Sequence, residues 1–184
     1  MKALFINACV RRESRTALLC TEYMAKYWQE ADVTELDLNE MKLAALDRTG
    51  LARRIHDEDA AKLDGPVFRL AHDFAEADEI LIGAPYWDCS FPALLKIYLE
   101  HICVTGVTFG YSEDGTPVGL CRAGKLTYIT TAGGYLPEPS SVELHMRELC
   151  HMLGINTLEF HKAEGLDIQG NDVTEILDRA LDEL

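Results

Sequence analysis

The sequence predicts an α/β fold of three layers: five parallel strands in the order 2-1-3-4-5, helices on both faces, and a β-hairpin inserted before the fourth strand. Three observations lead there. Short apolar runs such as Ile80-Leu-Ile-Gly83 are of strand length and rich in β-branched residues. They are apolar on consecutive positions rather than alternating, as in strands buried on both faces. Segments of helical period separate them, so that right-handed crossovers wind a doubly wound sheet. A chain of 184 residues suits one such domain, spanning 1–184.

The first strand is Ala3-Leu-Phe-Ile-Asn7, and an arginine-bearing loop follows it. Ala17, Cys20, Met24 and Trp28 then form a helical stripe, with Ser14 placed as its N-cap. Asp32 to Leu38 reads as an edge strand with a polar bias. The segment from Asn39 to Gly65 is polar and long for a connection, with weak helical signals only around Ile55 to Leu63. Pro66 opens a helix to about Ala77, and Ile80 begins the third strand. That strand ends in Gly83-Ala-Pro-Tyr-Trp-Asp-Cys89, before Pro92 opens the next helix.

Asp114-Gly115 is a turn signal between Val107–Tyr111 and Val118–Leu120, and marks the inserted hairpin. Leu126 to Thr131 is the fourth core strand and runs into Ala132-Gly133-Gly134. A helix from Ser141 to Leu153 carries His145 and His151, which are six apart and face different sides, so no metal is expected on them. Thr157 to Ala163 is the fifth strand. Asp172 and Glu175 open the last helix as a capping box.

Charge and cysteines narrow the function. With 31 acidic against 17 basic residues the net charge is −14, which disfavours nucleic acid and anionic membranes as partners. No apolar run approaches the ~20 residues of a membrane span, and no signal peptide is read, so a cytoplasmic protein with six reduced thiols is expected. There is no Cys-x-x-Cys, no Gly-x-Ser-x-Gly elbow and no Gly-x-Gly-x-x-Gly after the first strand. The first strand tip, Asn7-Ala-Cys9, lacks the acids a response regulator needs for a metal.

Three loops meet at the carboxyl edge of such a sheet, beside its switch point, where ligands bind. The first combines Arg11, Ser14, Arg15 and Thr16 with a helix N-terminus, which favours a phosphate. Taken alone it also reads as an ordinary capped helix with solvated arginines. The second is Pro85, Tyr86, Trp87, Asp88 and Cys89; the third is Thr131, Ala132, Gly133 and Gly134. A mononucleotide with one terminal phosphate and a flat ring, namely FMN, fits the convergence. No catalytic side chain is needed if the cofactor carries the chemistry.

Ser14-Arg-Thr16, Ala84-Pro-Tyr-Trp-Asp88 with Pro92-Ala-Leu-Leu-Lys96, Gly106-Val-Thr-Phe-Gly-Tyr111, Gly119-Leu120 and Thr131-Ala-Gly-Gly134 occur in this order across most of the chain. In that set the sequence resembles the FMN-dependent NAD(P)H:quinone oxidoreductase and azoreductase family of flavodoxin-like proteins. The resemblance implies that the first motif binds the flavin phosphate and that the second and third contact its ring. It further implies a homodimer with flavin sites at the interface. The cycle would be ping-pong, with NAD(P)H reducing the flavin before a quinone or azo acceptor takes the same place. A backbone N–H near Asp88 or Cys89 would hold the ring, and Phe109 and Tyr111 would wall the substrate pocket. Lys162 stands where some relatives put an aromatic over the flavin, and Ala8 where some carry a serine. The alternative reading is a flavodoxin-type electron carrier without its own substrate pocket.

Overall fold

The computed structural model describes all residues, 1–184. Its five-stranded parallel sheet runs in the order β2-β1-β3-β6-β7, which is the expected 2-1-3-4-5 once the hairpin strands are counted apart. The members are β1 (Lys2–Asn7), β2 (Asp32–Asp37), β3 (Glu79–Gly83), β6 (Lys125–Thr131) and β7 (Thr157–Ala163). The hairpin is β4 (Phe109–Tyr111) with β5 (Pro117–Gly119), paired antiparallel as a separate sheet. Between them run α1 (Arg15–Tyr27), α2 (Arg48–Asp59), α3 (Arg69–Ala75), α4 (Ala93–Ile102), α5 (Ser141–Leu153) and α6 (Val173–Asp182).

The sheet separates two cores because its strands are apolar on both faces. Ile80 and Ile82 of β3 join α3, α4 and α5 on one side, with Leu95, Leu99, Met146 and Leu153. Leu81 of the same strand faces the opposite core, with Phe5, Leu19, Tyr23 and Ala180 between α1 and α6. Three consecutive residues of β3 are thus removed from water, each contributing ~1.5–3 kcal/mol of transfer free energy. No helix is long and apolar enough to cross a membrane.

Three local expectations are corrected. The polar stretch from Asn39 to Gly65 contains a full helix, α2, which begins at Arg48 rather than near Ile55. Asp47 caps it by accepting from the Gly50 N–H at 2.7 Å. No residue of α2 is buried, so no apolar period announced it. Pro66 opens a 3₁₀ turn, Pro66–Phe68, and α3 proper is only Arg69–Ala75. Pro92 is the N-cap of α4 rather than its first helical residue.

The hairpin lies at the amino end of the sheet. The Arg122 N–H donates to the Ala75 carbonyl at the end of α3, and the Cys121 N–H to the Leu153 carbonyl at the end of α5. Gly119 lies against the backbone of Gly154, the left-handed C-cap of α5. Thr108 closes the end of α4, its hydroxyl donating to the Ile102 carbonyl at 2.7 Å and accepting from the Val104 N–H.

Candidate functional site

At the carboxyl edge the sheet's hydrogen bonding continues past the strands. The Ala8 N–H donates to the Gly83 carbonyl, Ala84 to Ile129, Tyr86 to Thr131, and Ala132 to Ala163. Each site loop is therefore tied to its neighbour at its first residues, and the loops diverge only beyond those bonds.

They enclose a cavity of about 350 Å³ beside the β1–β3 switch point. Its walls bring together Arg11, Ser14, Arg15 and Thr16 from the first loop, Pro85, Tyr86 and Trp87 from the second, and Thr131, Ala132 and Gly133 from the third. Val10, Glu13, Leu166 and Asp167 complete the lining. The last two were not legible as site residues. They enter because the chain after β7 runs back along the glycine loop: the Gly165, Leu166 and Asp167 N–H groups donate to the Gly134, Ala132 and Gly133 carbonyls.

One end of the cavity carries the arginines and the start of α1. Ser14 caps α1, accepting from the Ala17 N–H at 3.2 Å, and keeps its own hydroxyl proton to donate. The N–H groups of Arg15 and Thr16, first in the helix, have no protein acceptor. The Thr16 hydroxyl is buried and shares a 2.7 Å hydrogen bond with that of Thr131, tying α1 to the tip of β6. Arg15 reaches across to Asp167, Nη1 to Oδ1 at 3.0 Å. Beneath this end, burial pushes the Cys9 thiol up to about 11 and holds Cys20 well above its ordinary value. Both are protonated packing groups at neutral pH.

The other end is aromatic and walled by backbone. Trp87 and Ser90 exchange both backbone hydrogen bonds, at 2.8 and 2.7 Å, around a two-residue turn in which Asp88 and Cys89 have φ of 48° and 62°. The N–H groups of Asp88 and Cys89 are spent on no protein acceptor, and the Cys89 carbonyl accepts from the Ser141 hydroxyl. The turn is thus anchored to the start of α5.

Other expected residues lie apart from this cavity. Asp88, Cys89 and Gly134 flank it without lining it. Phe109 and Tyr111 are on the hairpin, at the opposite end of the sheet, because the insertion joins α4 to the amino end of β6. Lys162 does not line the cavity either. Its ammonium pairs with Glu138 at 2.6 Å and Glu164 at 3.2 Å, and these bonds hold its proton above the ordinary lysine range. Glu164 also accepts from the Leu136 N–H, so Lys162 clamps the loop leaving the glycines.

A family model described as flavodoxin-like fold matches residues 1–184. The FMN-dependent NADH:quinone oxidoreductase 2 of Clostridium acetobutylicum is 36% identical over 186 residues, covering 96% of this chain and 92% of that protein. The FMN-dependent NADH:quinone oxidoreductase of Clostridium beijerinckii is 33% identical over 188 residues, with 98% and 94% covered. Among solved structures, an FMN-dependent NADH-azoreductase from Bacillus anthracis in complex with FMN superposes with a TM-score of 0.84 at 22% identity, over 99% of this chain and 94% of that one. That last likeness is one of fold. Matched from first residue to last, and alike in sequence to relatives over nearly the whole of both chains, this chain belongs to the flavodoxin-like fold family.

Proposed function

We propose that the chain is an FMN-dependent oxidoreductase that passes a hydride from NAD(P)H, by way of the flavin, to a quinone, azo compound or similar small acceptor. One observation carries the reading: a single cavity at the switch point joins an arginine-bearing, N–H-rich end to an aromatic end walled by backbone. Its donors suit a phosphate monoester attached to a flat ring. FMN, when bound, supplies the two-electron chemistry.

The chain's own residues then bind and orient. Arg11, Arg15, the Ser14 hydroxyl and the first N–H groups of α1 hold the phosphate. Thr16 and Thr131 lock that end to the sheet and keep one hydroxyl proton between them to donate. Pro85, Tyr86 and Trp87 of the second loop and Thr131, Ala132 and Gly133 of the third would hold the ring, with Gly134 beside them. The free N–H groups of Asp88 and Cys89 are the donors for a polar ring edge. No side-chain nucleophile is required, in keeping with protonated, buried thiols at Cys9 and Cys20.

The proposal includes a homodimer. Phe109 and Tyr111 lie at the end of the sheet away from the cavity, so they wall a substrate pocket only if a second copy brings its hairpin to it. Tyr111 is 61% exposed and free to do so. A cytoplasmic location is part of the same reading, supported by six free cysteines.

The net charge of −14 favours a second reading, an electron carrier that docks on a basic redox partner. The visible spectrum separates the two. The purified protein is expected to be yellow, to bleach with NADH alone under anaerobic conditions, and to regain colour with a quinone. A coloured protein indifferent to NADH and NADPH is a carrier; a colourless one that takes up no added FMN overturns both readings.

A further inference from the structure

Asp167 is absent from every motif of the sequence, yet it bridges two of the loops that line the cavity. Its Oδ1 lies 3.0 Å from Arg15 Nη1. Its Oδ2 lies 2.4 Å from where a Cβ on Gly133 would stand, and its N–H donates to the Gly133 carbonyl at 2.9 Å. The carboxylate therefore spans from the start of α1 to the glycine loop and places a negative charge on one of the two arginines that line the anion end. Glu13 is the other acid in the lining, so two cations, Arg11 and Arg15, are matched by two anions. The phosphate end is left with little net charge beyond the helix dipole and its N–H groups.

We infer that Asp167 is a specificity-determining residue, the countercharge that limits how much of cofactor binding the phosphate supplies. This rests on the flavin reading above. With Asp167 in place a free phosphate or a simple phosphate ester gains little from the arginines, and tight binding requires the ring to be seated as well. Removing the charge while keeping the shape strengthens the anion end alone. A residue that merely braces the glycine loop would act on the ring, and so on phosphorylated and unphosphorylated flavins together.

The test compares FMN and riboflavin binding to the apoprotein by flavin fluorescence, with inorganic phosphate as competitor, for the parent and Asp167→Asn. At about 50 mM salt the variant is expected to bind FMN roughly five- to tenfold more tightly and riboflavin within about twofold of the parent, with phosphate competing at lower concentration. The FMN gain should shrink at about 0.5 M salt and vanish when Arg15→Gln is added. Equal weakening of FMN and riboflavin would make Asp167 a structural brace. Unchanged FMN affinity would leave its charge without a role, and either result overturns the inference while flavin binding by the parent keeps the functional reading. A parent chain that binds neither flavin overturns that reading, and this one with it.

Discussion

Asp88 and Cys89 sit at positive φ in the centre of a tight turn, the conformation for which glycine is favoured and Asp tolerated. Cys89 is exposed, so its side chain gains no packing energy in return. Cys89→Gly is therefore expected to raise stability by about 0.5–1 kcal/mol, read as a higher urea midpoint at unchanged slope; a fall would show that the thiol makes a contact of value. The same scale shows what single residues disclose. Ser14 and the arginines are legible because a cap and its charges are local in sequence. Asp167 is not, since it reaches Gly133 and Arg15 only through the pairing that continues after β7. At Gly133 the neighbour that excludes a Cβ is Asp167.

At the scale of elements, α1 and α6 followed from capping residues and apolar period, whereas α2 has no buried face to leave a pattern. What holds it is Arg54. Its guanidinium pairs with Glu58 at 2.7 Å and donates to the carbonyls of Glu100 and Cys103 at the end of α4. A contact between a polar helix and the carbonyls of another has no sequence period. The hairpin was recognised from Asp114-Gly115, but its place in space was not, because turn chemistry fixes pairing and not docking. Docking depends on Gly119, where a Cβ would fall 2.0 Å from the Gly154 nitrogen and 2.1 Å from the Leu153 carbonyl carbon. Backbone atoms cannot yield as side-chain ends do. Gly119→Ala is expected to cost about 2 kcal/mol or more, or to free the hairpin, visible as new proteolytic cleavage between β4 and β5. Wild-type resistance to protease would show that α5 can shift to accommodate it.

The strand order of the whole molecule was legible because parallel strands buried on both faces leave continuous apolar runs, and crossover handedness admits few arrangements. The assembly was not legible in the same way: one chain's pattern does not reveal which faces it shares. The hairpin's position supplies a test. Light scattering should give a particle of about 41 kDa, twice 20.6 kDa. Tyr111→Ala should lower kcat/KM for a quinone about tenfold while flavin content stays constant, since the residue would meet substrate and not the cofactor's phosphate. A monomer with full quinone reduction would refute the contribution in trans.

The bonds from Ala8 to Gly83, Ala84 to Ile129, Tyr86 to Thr131 and Ala132 to Ala163 have a practical corollary for recombination between relatives. Crossover points chosen at the strand ends would sever residues that still belong to the ladder. A segment that begins at Trp87 keeps the Trp87–Ser90 pair whole, and one from Gly133 through Asp167 keeps the bonds from the Gly165 and Asp167 N–H groups to the Gly134 and Gly133 carbonyls within it. The natural module boundaries at this edge therefore lie a few residues outside the strands.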